Sequence, residues 1–202
     1  MKISVLGAGN IGGTLGGKWA AAGHEVVFGV RDPQAEKVQL LLAKAGNGAT
    51  AVPVPAAAAG ADVVVFAVPG GAMGETAVAL GSKLNGKILV DTANLVGQTP
   101  MNSLSLLRQA APASPLFRAF SNLGWENFAD PVIDGVQVDL FYCGDGGDGQ
   151  TAVHTLIADI GLRPVYLGGV DQADLVDSLT RLWFVLALQR GYGRHLAFKL
   201  MG

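Results

Sequence analysis

The chain has 202 residues, enough for one sizeable domain or one domain with a small appendage. Half of it is hydrophobic and 15% is charged, with a formal net charge of −2. A large core can therefore be buried, and there is no electrostatic footprint for nucleic acid or an anionic membrane. The single cysteine, Cys143, excludes an internal disulfide framework and points to a reducing compartment. Its expected role is packing as a small apolar residue. No apolar run approaches the ~18–20 residues of a membrane span without a break. The N-terminus goes straight into a strand, with no signal peptide apparent, so a cytoplasmic protein is expected.

Lys2 to Leu6 is a short apolar run of strand type. Gly7-Ala8-Gly9-Asn10-Ile11-Gly12 follows and carries G-x-G-x-x-G. A helical pattern comes next, with Ile11, Leu15 and Trp19 one turn apart, stopped by Gly23. Glu25-Val26-Val27-Phe28 reads as a second strand. This is strand, glycine turn, helix, strand, in the order a dinucleotide site requires. Gly7 allows the tight turn, Gly9 lets a pyrophosphate approach the backbone, and Gly12 lets the helix lie close on the sheet. The helix N-terminus then points free N–H groups at the phosphates.

Arg31 bears on which nucleotide binds. An NAD site puts Asp or Glu at the end of the second strand, to hold the ribose 2′-hydroxyl. Here that position is Gly29 or Val30. A bare glycine leaves room for a 2′-phosphate, and Arg31 offers an always-charged fork to bind it. NADP(H) is therefore expected over NAD(H). The alternative makes Arg31 an ordinary surface residue and Asp32 the ribose acid. Asp32 precedes Pro33, however, and is better used as the N-cap of the next helix.

Strand and helix signals then alternate. Pro33 to Ala45 is helical, Thr50 to Val52 a strand, and Ala56 to Ala59 a short helix. Asp62 to Val68 is a continuous β-branched run, suited to a central strand covered on both faces. Met73 to Leu84 is a helix, Lys87 to Asp91 a strand, Leu104 to Ala110 a helix and Leu116 to Phe120 a strand. The fold class is α/β, a doubly wound parallel Rossmann sheet with a small, mostly helical C-terminal appendage. The expected division is 1–143 for the nucleotide-binding domain and 144–202 for the small C-terminal domain. In that second part, Gln137 to Cys143 leads in as a strand, Gln150 to Ile160 is a helix and Arg163 to Leu167 a strand. A long helix spans about Asp174 to Gln189. Leu175, Leu179, Leu182 and Leu186 mark one face, while Val176, Trp183, Phe184 and Val185 cover others. A helix apolar nearly all round is buried in its own fold or in a subunit interface, and a homodimer contact is favoured.

No strong catalytic constellation is visible, and no catalytic side chain is assigned. His24, His154 and His195 are scattered, and no Cys, His and carboxylate cluster suggests a metal. Asp91, Ser121 and Asn122 end strands on the carboxyl edge, where ligands bind in this architecture. Asp91 either orients Asn94 or the loop Thr92 to Thr99, or is a simple turn residue. Asn122 is a candidate contact for the nicotinamide or an acceptor. Trp125 either stacks on a flat acceptor or fills the core beneath a loop. Arg181, in the long apolar helix, needs a partner, and Asp177 one turn earlier is the natural one.

Several stretches together resemble the NADPH-dependent reductases of the factor-420 deazaflavin coenzyme. They are Gly7 to Gly12, Gly23-His24-Glu25-Val26, Arg31, Arg118 to Pro131, Gly161-Leu162-Arg163-Pro164, and Gly191 to Lys199. The resemblance spans essentially the whole chain. It implies hydride transfer between NADP(H) and a deazaflavin held between the Rossmann sheet and the C-terminal part. It also implies that Asn10 lies near the pyrophosphate, with Ala8 and Ile11 in the same turn. By the same likeness Val68 and Pro69 lie beside the adenine and nicotinamide ribose, and Thr92, Ala93 and Asn94 face the nicotinamide. The family's small hydroxyl residue before the arginine is Val30 here, so only the charge at Arg31 remains. Two alternatives stay open. One is a reductase of a flavin, imine or small carbonyl, although no Tyr-x-x-x-Lys pair is present. The other is a non-catalytic NADP(H) sensor.

Overall fold

The computed structural model describes residues 1–201. In chain order its elements are β1 (Lys2–Leu6), α1 (Asn10–Ala21), β2 (Glu25–Val30), α2 (Glu36–Ala45), β3 (Thr50–Pro53), α3 (Val54–Ala59) and β4 (Val63–Phe66). Then follow α4 (Met73–Leu80), β5 (Ile88–Asp91), α5 (Leu104–Ala110), β6 (Leu116–Arg118) and α6 (Trp125–Ala129). The rest is β7 (Val132–Ile133), β8 (Val136–Gln137), β9 (Asp139–Gly144), α7 (Asp148–Asp159), β10 (Arg163–Tyr166) and α8 (Ala173–Phe184).

Alternation along the strands builds two cores. Ile3, Val5, Val63 and Val65 point to one face, where Leu15 and Trp19 of α1, Val38 of α2, Phe128 of α6 and Val153 and Leu156 of α7 cover them. Leu6, Val64 and Phe66 point to the other, covered by α3, α4, α5 and Val176 of α8. The period-2 side-chain geometry thus makes one sheet the middle of three layers.

The sheet has eight strands in the order β10-β9-β6-β5-β4-β1-β2-β3. The Rossmann order is read from β6 to β3, and those strands are parallel. The sheet departs from the fully parallel expectation at β9, which runs antiparallel to β6. The hairpin of β7 and β8 reverses the chain just before it. Residue 143, the expected boundary, lies within β9, and β10 extends the same sheet beyond it. No described helix is long and apolar enough to cross a membrane.

Three local expectations are corrected. The second helix starts at Glu36 rather than Pro33. Asp32 instead accepts from the backbone N–H of Gln34 at 2.9 Å, closing a turn and not capping α2. The helix expected to Leu84 ends as an α-helix at Leu80. In α8 the buried face is Ala173, Val176, Asp177, Thr180 and Trp183, and Leu175 and Leu182 turn outward while Leu179 is half-buried. Leu175 is 57% exposed and Leu182 is 45% exposed. Asp177 and Thr180 are buried because they have partners, a fact that hydrophobic periodicity cannot register.

The C-terminal tail is tied to the sheet through Asp139, whose carboxylate is fully buried. Arg163 donates to both of its oxygens at 2.6 Å. Lys199 Nζ and the backbone N–H of Leu200 each add a bond at 2.8 Å. Burial alone would raise the Asp139 pKa, but the bonds from Arg163, Lys199 and Leu200 outweigh it and hold the carboxyl below its ordinary 3.8. A depressed carboxyl pKa stabilises the fold above the unfolded value and loses that contribution as the pH falls through the folded one. Asp139→Asn is expected to cost about 1–3 kcal/mol at pH 7, limited because Arg163 keeps access to water. Melts at descending pH should show the gap between the two proteins closing below pH 3.8. A gap that is constant with pH would disprove this account.

Candidate functional site

The carboxyl ends of β1, β2, β4, β5 and β6 meet along one edge of the sheet, and the turn after β1 opens there. Gly7 has φ +108°, a conformation that side chains rarely adopt, and a Cβ there would lie 2.5 Å from Ala67 O. A Cβ on Gly12 would run into Gly7 O, so the start of α1 sits directly on the turn. Gly9 differs. It is the N-cap residue of α1, has no side-chain cap, and a Cβ there meets nothing within 4 Å. The first N–H groups of α1 therefore face open space beside an exposed Asn10. Ala8 and Ile11 pack partly into the core beneath.

Arg31 is exposed one residue past β2 and forms no salt bridge among the described residues. The room expected at Gly29 is absent. A Cβ there would lie 2.7 Å from Leu6 Cδ2 and 3.1 Å from Ala57 Cβ, so this glycine serves packing against α3. Val30 is buried in the opposite core.

At the end of β4, Val68 is half-buried and Pro69 exposed. The next residue, Gly70, abuts the Asn94 carbonyl so closely that no side chain fits. At the end of β5, Thr92 donates its hydroxyl to Phe66 O at 2.8 Å. Ala93 is buried and Asn94 is half-buried. Both polar ends of the Asn94 side chain are taken: Nδ2 donates to Ser121 O at 3.1 Å, and Oδ1 accepts from Arg118 Nη2 at 2.6 Å. The ends of β4, β5 and β6 are thus joined into one platform.

Beneath that platform lies an ionic knot that the sequence reading missed. Arg118 is fully buried. Its Nε donates to Asp177 Oδ1 at 3.0 Å, and its Nη1 bonds Ala93 O and stands 3.6 Å from Asp91 Oδ1. Asp177 Oδ2 accepts from the backbone N–H groups of Met101 and Asn102 and from Asn102 Nδ2. Asp91 accepts from the N–H groups of Ala93 and Ser103. Asp91 therefore does orient the loop after β5. Burial pushes its pKa up, against the pull of Arg118 and those two N–H groups. The expected Asp177–Arg181 pair is not formed; Arg181 Nη2 donates to Ser178 Oγ instead. One signal in the sequence pointed to the knot: an arginine inside an apolar strand must have a counter-charge.

The end of β6 is irregular. Phe120 sits at φ +57°, uncommon for a bulky residue, and is held edge-on between Trp19 and Phe128 at 5.6 and 5.8 Å. This ends the strand two residues sooner than expected. Asn122 follows, with Nδ2 donating to Phe141 O at 2.7 Å. Its Oδ1 and the Ser121 hydroxyl are buried without partners.

The remaining candidates are structural or peripheral. Trp125 is half-buried and lines, with Ala8, Gly9, Asn10 and α1, a surface groove of about 610 Å³. His24 bonds Asp159 at 2.7 Å, His154 meets the Tyr142 hydroxyl, and exposed His195 contacts Asp130 O. Burial pushes the Cys143 thiol up to about 12, which makes it an inert packing residue. No group of metal-ligating side chains occurs among the described residues.

Known proteins resemble this chain in sequence and in fold. Residues 2–95 match the family described as NADP oxidoreductase, coenzyme F420-dependent. The chain is 28% identical over 203 aligned positions to an F420-dependent NADP reductase of Methanothermobacter thermautotrophicus, covering 90% of this chain and 87% of the relative. A provisionally named F420-dependent NADP-reductase from Arthrobacter sp. FB24 superposes with a TM-score of 0.84 at 27% identity, covering all of both chains. A reductive aminase of Aspergillus terreus shares the fold, with a TM-score of 0.71 at 22% identity, over 94% of this chain and 62% of that one. The chain is therefore similar along its length to F420-dependent NADP reductases, and the match to the family model lies in residues 2–95.

The glycines separate packing from access. Gly12→Ala is expected to destabilise the fold by about 1–3 kcal/mol through overpacking, whereas Gly9→Ala stays within about 0.5 kcal/mol. Denaturant titration of the two variants checks this, and equal losses would disprove the assignment of roles.

Proposed function

We propose that this relative of the F420-dependent NADP reductases is an NADP-dependent oxidoreductase that passes hydride between NADP(H) and a flat deazaflavin of the factor-420 type. The observation that carries the nucleotide reading is the open N-terminus of α1 at Gly9, next to an unpaired Arg31. Free N–H groups, a helix dipole and an uncommitted guanidinium suit a pyrophosphate and a 2′-phosphate. The strand order also reverses between β1 and β4, where ligands bind in such sheets. The residues fit the group: a Cβ-sized space is open at Gly9, and an orphaned acceptor, Asn122 Oδ1, lies beyond the end of β6.

When bound, the nicotinamide and the deazaflavin supply the redox chemistry themselves. The chain has to hold the two rings face to face and exclude water. In this reading Asn10, Ala8 and Ile11 shape the phosphate turn. Val68 and Pro69 border the ribose, and Thr92, Ala93 and Asn94 form the wall for the nicotinamide. Asn122 Oδ1 accepts from the carboxamide or the acceptor. In this reading no side-chain acid is required. Residues 144–202 close the acceptor side, and a single buried thiol suits a reducing cytoplasm.

We also read the protein as a homodimer through the outer face of α8. Exposed Leu175 and Leu182 with half-buried Leu179, continued by half-buried Leu186 just past the end of α8, form a stripe that a second copy can cover in antiparallel fashion, with Leu179 against Leu182. Exposed Asp171 and Arg190, at opposite ends, would then face each other across the two-fold axis. Leu182→Glu should turn a dimer into a monomer in light scattering, and a wild-type monomer at tens of micromolar would refute this interface.

NADPH oxidation followed by absorbance tests the activity, with the factor-420 deazaflavin as acceptor and FMN in parallel. Turnover with the deazaflavin alone is expected, and turnover with FMN alone or with neither would overturn that acceptor. Arg31→Ala should weaken NADPH binding by about 1–3 kcal/mol and leave NADH unchanged. Equal loss for both nucleotides would end the NADP assignment. Gly9→Val should fold normally and bind neither nucleotide.

A further inference from the structure

The Arg118 side chain touches both the helix closing the C-terminal part and the loop proposed to face the nicotinamide. From α8 it takes Asp177, and towards the loop it gives bonds to Ala93 O and Asn94 Oδ1. Asp177 in turn takes the N–H groups of Met101 and Asn102, where the same loop returns to the core. Asp91 holds the loop at Ala93 and Ser103. Both ends of the segment 93–103 are therefore fastened to one buried guanidinium and its two carboxylates. A core of this size has no need of such a group, because well-packed apolar residues of the same volume are often as stabilising. What a planar fork with five donors adds is direction.

We propose that Arg118 is a positioning residue for the nicotinamide ring, and that Asp177 is its anchor, so that α8 sets the placement of Ala93 and Asn94. The inference rests on the reading that Thr92, Ala93 and Asn94 border the nicotinamide. Arg118 is fully buried and does not itself touch a ligand. It acts by fixing two carbonyl-type oxygens, Ala93 O and Asn94 Oδ1, which would otherwise turn toward the ring. It also leaves Asn94 Nδ2 committed to Ser121 O, so the ends of β5 and β6 move as one unit. A shift of about 1 Å in that wall is enough to slow hydride transfer strongly.

The test uses the full chain with three substitutions. Arg118→Met removes all the bonds. Arg118→Lys keeps the charge but cannot reach three partners at once. Asp177→Asn keeps an acceptor for Met101 and Asn102 while removing the counter-charge, and it carries the test if Arg118→Met does not fold. Two probes are compared by equilibrium titration: NADPH, and adenosine 2′,5′-bisphosphate, which has the 2′-phosphate and no nicotinamide. A positioning role predicts that affinity for the bisphosphate stays within about twofold. It also predicts that the emission maximum of bound NADPH, which reports the surroundings of the nicotinamide, moves towards that of the free nucleotide. With the deazaflavin, kcat should fall roughly 10–100-fold with little change in KM, and Arg118→Lys should recover part of it. Equal weakening of both probes in a folded variant would mean a general structural role and overturn the proposal. So would wild-type emission and kcat in Asp177→Asn. If the wild-type protein bound neither probe, the nucleotide reading would fail first and this proposal with it.

Discussion

A guanidinium with no access to water organises the ligand edge of this fold. Arg118 stands on β6, with apolar strand residues around it, and a lone charge there would be prohibitively costly. The chain meets that demand with Asp91 from the neighbouring strand and Asp177 from a helix 59 positions later in sequence. Each carboxylate is then saturated by backbone N–H groups of the loop after β5. The loop has its shape because the knot needs donors, and the knot is tolerated because the loop supplies them. Removing one member would leave the others buried and unpaired, which is why the arrangement behaves as a unit.

The two halves of the ligand edge are built on opposite principles. At the glycine turn, backbone donors are left free and the exposed Arg31 has no salt-bridge partner among the described residues. At the ends of β4 and β5 the polar groups are spent: Thr92 on Phe66 O, Asn94 on Ser121 and Arg118. The first arrangement is of the kind that suits an anion. The second presents a rigid and largely satisfied wall, suited to a flat ring whose position matters more than its hydrogen bonds.

What could be read from the sequence follows the range of the interactions. The turn from β1 into α1 was legible because its constraints act within a dozen residues: one glycine at φ +108°, one under a crossing carbonyl, one left open. The strand order followed from β-branched runs and glycine stops. Gly29 was misread because the same missing side chain can serve a ligand or a neighbouring helix, and only the presence of Leu6 and Ala57 decides. Helix α8 was turned the wrong way for a related reason. Periodicity counts leucines, yet the buried face carries Asp177 and Thr180, whose burial depends on Arg118 and on the Val176 carbonyl. The antiparallel β9 depends on a four-residue pairing between β7 and β8, too short to give a pattern.

One short stretch combines backbone strain with unmet hydrogen bonds. Within four residues after β6 the chain carries a phenylalanine at φ +57°, a buried serine hydroxyl without a partner and a buried asparagine oxygen without one. The phenylalanine is held there by Trp19 and Phe128. Asn122 cannot turn to relieve its oxygen, because Phe141 O fixes its nitrogen. A fold under selection for stability alone has cheaper ways to leave a strand, since each such feature costs on the order of 1–3 kcal/mol. The cost falls on the same edge as the glycine turn and the Arg118 platform, across the strand ends from the open N-terminus of α1. An acceptor fixed in place, with its other amide group already engaged, is what a ligand donor needs in order to bind in one orientation only.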